Sequence, residues 1–165
     1  EGAGWEMSTG EAKVTVVEFS DIQCPACKAA EPISVELRRT PGVKFVYRHF
    51  PLTTIHKNAW NGARALEAAR LLDKGWEMME LMFDKQAEWA DLGNPDEKFV
   101  AYAKELGLDE KIFEEKYKSK ETDEPVGVDS SLGNRLKLSG TPTFFVNGEQ
   151  VATSFVISRV RELLK

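Results

Sequence analysis

Residues 13–39 read KVTVVEFSDIQCPACKAAEPISVELRR, and the order of residue types in this stretch decides the fold. Lys13–Phe19 is rich in valine, a β-branched residue suited to a pleated surface, and its nearly unbroken apolar run predicts a strand covered on both faces. Cys24-Pro25-Ala26-Cys27 follows after a short loop. Pro25 carries the fixed φ that suits a first helical position. Ala26, Ala30, Ile33 and Leu37 then recur at helical spacing to about Arg39, with Pro32 as an expected kink. Pro41-Gly42 predicts a turn and Val43–Phe50 (VKFVYRHF) a second strand. Strand, helix and strand in this order imply a right-handed parallel βαβ unit.

A C-x-x-C at a strand-to-helix junction has a mechanical meaning. The first cysteine meets the free N–H groups and the positive end of the helix dipole, which favour a thiolate. Such a site can draw a cysteine pKa from ~8.5 down to roughly 3.5–7.5. One turn later the second cysteine is close enough to close a short disulfide ring. Cys24 is therefore expected to be the exposed nucleophile and Cys27 the buried resolving thiol. These are the only two cysteines in the chain, too few and too close for a stapled secreted domain. Half of a zinc site is the competing reading, because His49 and His56 complete a Cys2His2 composition. The gaps from Cys27 to His49 and from His49 to His56 do not fit a zinc finger, so no metal ligands are assigned.

Beyond this unit the chain turns helical. His56–Asp73 carries Ala59, Ala63 and Leu66 as a stripe, and Trp76–Trp89 carries Trp76, Met79 and Phe83. Met78 and Met82 belong to the same segment, and core packing is preferred over a peptide groove for the group. Asn94-Pro95-Asp96-Glu97 opens a helix that ends near Gly107. Asp109–Lys120 predicts a short amphipathic helix, and the Lys/Glu-rich run from Glu110 to Glu124 a solvated face. Val128, Leu132 and Leu136 suggest the buried stripe of a last helix before Gly140. Thr143–Val146 (TFFV) then predicts a strand, Asn147-Gly148 a two-residue hairpin turn, and Glu149–Thr153 the antiparallel partner. Ser154 is placed to cap a final helix using Val156, Val160 and Leu163. Residues 1–12 read as a loose polar lead-in.

The chain has 165 residues, 42% hydrophobic and 30% charged, with a net charge of −5. That is one compact domain or a domain with an insertion, and it is not a disordered composition. No basic stripe interleaved with aromatics invites nucleic acid, and no apolar run is long enough to span a bilayer. The chain begins at Glu1 without a visible signal peptide, so it is read as a processed or trimmed chain whose export signal or membrane anchor is missing.

FSDIQCPACK, YRHFPL, IHKNA, WEMMELMFDKQ and SGTPTFFVNGE, in this order, resemble the landmarks of the DsbA-like thiol–disulfide oxidoreductases, closest to the branch that includes the Bacillus-type BdbD proteins. The resemblance runs from about Val14 to the last helix. It implies an α/β thioredoxin-like fold, a central mixed sheet flanked by helices with an all-helical domain inserted after the second strand of the βαβ unit. The boundaries expected are 1–54 with 139–165 for the thioredoxin-like domain and 55–138 for the helical insertion.

The same resemblance assigns the substrate-facing proline to Pro142, with a cis bond from Thr141, whose backbone would pair with an extended client strand alongside Pro25 and Ala26. It also gives Glu18 a part in moving protons at the resolving cysteine. An acid in a buried strand is costly without a role or partner, and the alternative is an ion pair with Arg48 on the next strand. Asp21 is expected to cap the loop, and His49 and His56 to be structural. The strongest oxidants of the family carry Pro-His between the cysteines, whereas Ala26 stands here. That bears on how oxidising the pair is and leaves the exchange chemistry intact.

The function expected is protein dithiol oxidation through Cys24–Cys27 in an extracytoplasmic or periplasmic setting. The clients are exported cysteine-containing proteins, and a membrane quinone-linked thiol oxidase of the DsbB or VKOR type accepts the electrons. No cofactor is needed beyond the redox-active disulfide, and a monomer is expected. A reductase or isomerase on the same fold is the near alternative. A metal- or peptide-binding C-x-x-C module without turnover is the alternative of a different class.

Overall fold

The computed structural model describes residues 5–165. Its frame is a mixed five-stranded sheet in the order β1-β3-β2-β4-β5. The central strand β2 is Val14–Ser20, parallel to β3 (Val43–His49) and antiparallel to β4 (Thr143–Val146). Val14, Val16, Glu18 and Phe19 are all buried, as a strand covered on both faces requires. The crossover from β2 to β3 is α1, Pro25–Arg39, which completes the parallel βαβ unit.

Pro25 begins α1, Cys24 is its extended N-cap, and the helix passes through Pro32 without a break. Its buried stripe differs by one position from the expected one. Cys27, Ala30, Ser34 and Leu37 face inward, whereas Ala26 is exposed and Ile33 only half-buried. Pattern reading passed over Ser34 as polar. It is fully buried because its hydroxyl donates to Glu18 Oε2 at 2.6 Å.

The lead-in is less loose than its composition suggests. Residues 1–4 lie outside the described residues, but Trp5–Ser8 forms β1, antiparallel to β3 with Trp5 opposite Tyr47. Four residues with a single aromatic carry too little periodicity to read in advance. What holds them is tertiary: Trp5 packs edge-on against Trp76 and its indole N–H donates to the buried Glu67 carboxylate.

Six helices lie between β3 and β4: α2 (Ala59–Arg70), α3 (Gly75–Asp84), α4 (Gln86–Trp89), α5 (Asp96–Glu105), α6 (Glu110–Lys118) and α7 (Lys120–Arg135). Met78, Met79, Met82 and Phe83 are buried in the core, as preferred, and Trp76 is half-buried against it. Asp109 caps α6 by accepting from the Ile112 N–H. The helix expected from His56 starts only at Ala59, because His56 is drawn instead to Asp21 in the loop before the cysteines. On α7 the inward stripe is Thr122, Val126, Asp129 and Gly133, while Val128 and Leu136 are exposed, which corrects the expected apolar stripe. Two contacts set this rotation. Asp129 takes hydrogen bonds from Arg48 Nη1 and the His49 N–H. Gly133 is pressed on Phe50 so closely that a Cβ there would stand 2.5 Å from the ring.

The chain returns through β4 and β5 (Glu149–Val151), joined by Asn147 and Gly148, both at positive φ as a type I′ turn demands. A short 3-10 turn at Thr153–Phe155 precedes α8 (Val156–Leu163), whose N-cap is Phe155, not Ser154. The side chains of sheet and helices belong to one continuous buried cluster. We propose the division at 55–138 as one of chain topology, the helices being threaded into the βαβ frame between β3 and β4.

Candidate functional site

The two cysteines sit where the end of β2 turns into α1. Cys24 is 7% exposed and Cys27 fully buried one turn on, while Pro25 and Ala26 between them are exposed. Cys24 is more enclosed than expected for an attacking thiol. The cover is the loop before β4: Cys24 Sγ lies 3.7 Å from the carbonyl oxygen of Thr141. The Thr141–Pro142 peptide is cis. The loop therefore places Thr141 directly beside Cys24, although 117 residues separate the two in sequence.

The electrostatics of the two sulfurs are opposite. The Cys24 thiol is drawn down to about 5, first by a hydrogen bond from the Cys27 thiol. Burial opposes this, and Thr141 and the N–H groups of Cys27 and Ala26 add to it. No acidic residue lies in the first turn of α1, so nothing there counters the dipole. Burial pushes the Cys27 thiol well above the usual thiol range, helped by the bond to Cys24. Among the described residues, only the Asp21 N–H, at 3.4 Å, reaches Cys27 Sγ as a backbone donor.

Glu18 lies behind this pair. Burial raises its carboxyl to about 7 against the bond from Ser34. The alternative, an ion pair with Arg48, does not form. In the parallel register Glu18 stands opposite Tyr47 and Arg48 opposite Phe19, so the two side chains leave opposite faces of the sheet. Arg48 instead pairs with Asp129 at 2.8 Å.

A raised carboxyl fixes the sign of a pH effect. The folded protein holds the Glu18 proton more tightly than the unfolded chain does. Stability is therefore full below about 4.5 and falls as pH rises through about 7. With the disulfide formed, so that no thiol titrates, Glu18→Gln should gain on the parent by on the order of 2 kcal/mol between pH 5 and 8 in denaturant unfolding. A difference that stays constant across that range would contradict the assignment.

The cysteine loop is pinned from the helical insertion. Gln86 Nε2 donates to the carbonyls of Ile22 at 2.9 Å and Cys24 at 3.2 Å. Gln23 accepts from the Asn58 N–H and donates to the Ala90 carbonyl. Asp21 organises the loop by accepting from the N–H groups of Gln23 and Leu52, and His56 Nδ1 lies 2.7 Å from its Oδ2. His49 is committed to Glu67 at 2.9 Å. Both histidines are thus held by carboxylates. Sequence reasoning missed Gln86, Gln23, Asn58 and Ser34. Ser34 alone left a signal, a small polar residue in phase with Cys27, Ala30 and Leu37.

A lowered thiol at a helix N-terminus, a buried partner one turn away and the Thr141 carbonyl beside it make up the dithiol site of a thiol–disulfide oxidoreductase built on a thioredoxin frame. The family model described as Thioredoxin matches residues 6–165, and the chain belongs to that family. The fold superposes on BdbD from Bacillus subtilis with a TM-score of 0.81, at 23% identity over 96% of this chain and 91% of that one. A thioredoxin-like oxidoreductase from Silicibacter pomeroyi gives 0.77 at 25% identity over 96% and 92%. The thiol–disulfide exchange protein alpha-DsbA2 of Wolbachia pipientis gives 0.81 at 19% identity over 96% and 86%. By sequence, the Na(+)/H(+) antiporter NhaA 3 of Salinispora tropica is 40% identical over 143 residues, 85% of this chain. That stretch is 21% of the antiporter, so the chain spans about a fifth of the length of such relatives. No described helix is long and apolar enough to cross a membrane.

Proposed function

We propose that the protein is a dithiol oxidase that introduces disulfides into client proteins through Cys24 and Cys27. The observation that carries this reading is the placement of the two sulfurs, Cys24 at the helix N-terminus beside the Thr141 carbonyl and Cys27 fully buried one turn on, which favours a thiolate on the first and a thiol on the second. A client thiolate attacks Cys24 Sγ of the oxidised pair. The S–S bond breaks, Cys27 leaves and takes a proton, and a Cys24–client mixed disulfide remains. The client's second thiolate then attacks the client sulfur, which releases Cys24 as the favoured thiolate and leaves the client oxidised. Because reduction ends in a stabilised thiolate, electrons flow toward the protein.

In this reading Thr141 offers its backbone to an extended client segment, Pro142 keeps an N–H away from the sulfurs, and the exposed Pro25 and Ala26 form the contact surface. The disulfide itself carries the electrons, so no further cofactor takes part. Clients are exported cysteine-containing proteins, and a membrane-bound quinone-linked oxidase of the DsbB or VKOR type removes the electrons. An extracytoplasmic site follows, because only an oxidising compartment sustains such clients. Relatives that contain a matching stretch within much longer Na(+)/H(+) antiporters support a setting beside a membrane. The reading takes the protein to act as a monomer.

The test is stoichiometric oxidation of a reduced two-cysteine peptide by the oxidised protein, followed by mass. Near-complete transfer of the disulfide to the peptide is expected. A peptide that stays reduced, or a reduced protein that instead reduces the oxidised peptide, would replace this reading with a reductase.

A further inference from the structure

Asp21 follows the last residue of β2, and its two peptide groups reach both cysteines. The Ser20–Asp21 peptide is held at both ends. Its carbonyl accepts from the Phe50 N–H at 2.8 Å, and its N–H donates to Cys27 Sγ at 3.4 Å. The next carbonyl, that of Asp21 itself, accepts from the Cys24 N–H at 2.9 Å. The Asp21 side chain is fully buried and engages three donors. Oδ1 accepts from the Gln23 N–H at 2.8 Å, and Oδ2 from the Leu52 N–H at 2.9 Å. His56 Nδ1 lies 2.7 Å from the same Oδ2, and because a carboxylate oxygen only accepts, that nitrogen carries the hydrogen. Leu52 and His56 belong to one turn, closed by the His56 N–H on the Leu52 carbonyl at 2.9 Å. The segment after β3 thus grips, through this carboxylate, the residue whose N–H meets the buried sulfur.

We propose that the Asp21 N–H holds the negative charge that develops on Cys27 Sγ as the Cys24–Cys27 bond opens, and that the Asp21 carboxylate, gripped by Leu52 and His56, keeps this donor aimed. The inference rests on the dithiol oxidation argued above. A client thiolate attacks Cys24 Sγ. A bond forms between the client sulfur and Cys24, the Cys24–Cys27 bond breaks, and its electron pair leaves on Cys27 Sγ. The client sulfur is oxidised and Cys27 reduced, and Cys27 then takes a proton from the medium. Cys27 is fully buried, so water does not screen the charge. Burial and the bond to Cys24 both oppose that charge, and the Asp21 N–H is the strongest influence in its favour. The sulfur is uncharged before the bond opens and again once it is protonated. A donor fixed at this place therefore favours the transition state over both ends, and it speeds opening and closing alike. The Asp21 N–H touches the departing sulfur, whereas His56 is a positioning residue.

The experiment mixes oxidised protein with reduced glutathione, quenches with acid, and follows the Cys24 mixed disulfide by mass. The same mixed disulfide, made from reduced protein and oxidised glutathione, gives the reverse step as Cys27 expels glutathione. Replacing the Ser20–Asp21 amide by an ester puts oxygen in place of the N–H and keeps every side chain. Both steps should slow together, on the order of tenfold, less than the loss of a donor to an oxygen anion because sulfur accepts more weakly. The equilibrium with glutathione should not move, nor should the rate at which Cys24 attacks oxidised glutathione. A merely structural loss would move both. Asp21→Asn, which keeps the N–H but turns an NH2 on one of the three donors, should slow both steps in the same way and serves if the ester does not fold. His56→Ala should slow them by a smaller factor. His56→Asn, whose amide N–H falls near the place of Nδ1, should recover them. Parent-like opening in the ester or in Asp21→Asn would overturn the proposal. So would a shift of the equilibrium as large as the fall in rate, equal slowing of the attack by Cys24, or equal slowing by His56→Ala and His56→Asn. A parent that forms no mixed disulfide at all would instead defeat the oxidoreductase reading itself.

Discussion

Cys27→Ser should accumulate covalent mixed disulfides with client proteins, while Cys24→Ser should trap almost none. Removing Cys27 leaves the Cys24 thiolate, with its access past Pro25 and Ala26, but deletes the thiol that resolves an adduct. Removing Cys24 leaves a sulfur that is fully buried and held protonated by burial. Its thiolate fraction and its access both vanish together. The contrast should be close to all-or-none on non-reducing gels of the variants incubated with a mixture of disulfide-containing proteins. Equal trapping by the two variants would reverse the assignment of nucleophile and resolver.

The second large effect is in reactivity with pH. Alkylation of the reduced protein should follow a single ionisation near 5, well below that of an ordinary thiol, and modify Cys24 alone. The same shift appears in stability. A folded pKa below the unfolded one stabilises the reduced form fully above about 9, and this contribution disappears as pH falls through about 5. The reduced protein should therefore exceed the oxidised one in stability at pH 8 by more than it does at pH 5, in paired denaturant titrations. Cys27→Ala should raise the Cys24 ionisation, since the Cys27 thiol is the largest cause of its lowering. An alkylation midpoint at or above ~8.5 would remove the activation argument.

Much of this was legible in residues 13–50, because the signals there are local. Valine-rich strands, a proline at a helix start and a Pro-Gly turn each act over a few neighbours. The placement of Thr141 beside Cys24 is not local, and only the family resemblance supplied it. Burial on α7 was misread for the same reason. Leu132 and Leu136 carry the apolar signal, yet Asp129 and Gly133 turn inward, one to meet Arg48 and the other to make room for Phe50. Ser34 shows the limit in the site itself. Hydropathy scores it as a surface residue, and its burial makes sense only beside Glu18, another polar group that the strand pattern would leave out. Gln86 is hidden more deeply still. Its grip on the Cys24 carbonyl is made across 62 residues and leaves no mark in the spacing of α4.

The account turns on whether the Cys24 thiolate drives the pair toward the reduced state. Equilibrating the protein with reduced and oxidised glutathione at pH 7, and counting the free thiols, measures this directly. Ala26 in place of histidine leaves the helix N-terminus, the Cys27 thiol and Thr141 to hold the thiolate. The potential should then lie well above that of a thioredoxin at ~−270 mV, in the range of about −200 to −120 mV occupied by disulfide-donating members of the fold. A potential at or below ~−270 mV would contradict the account, because the pair would then give electrons to clients and not take them.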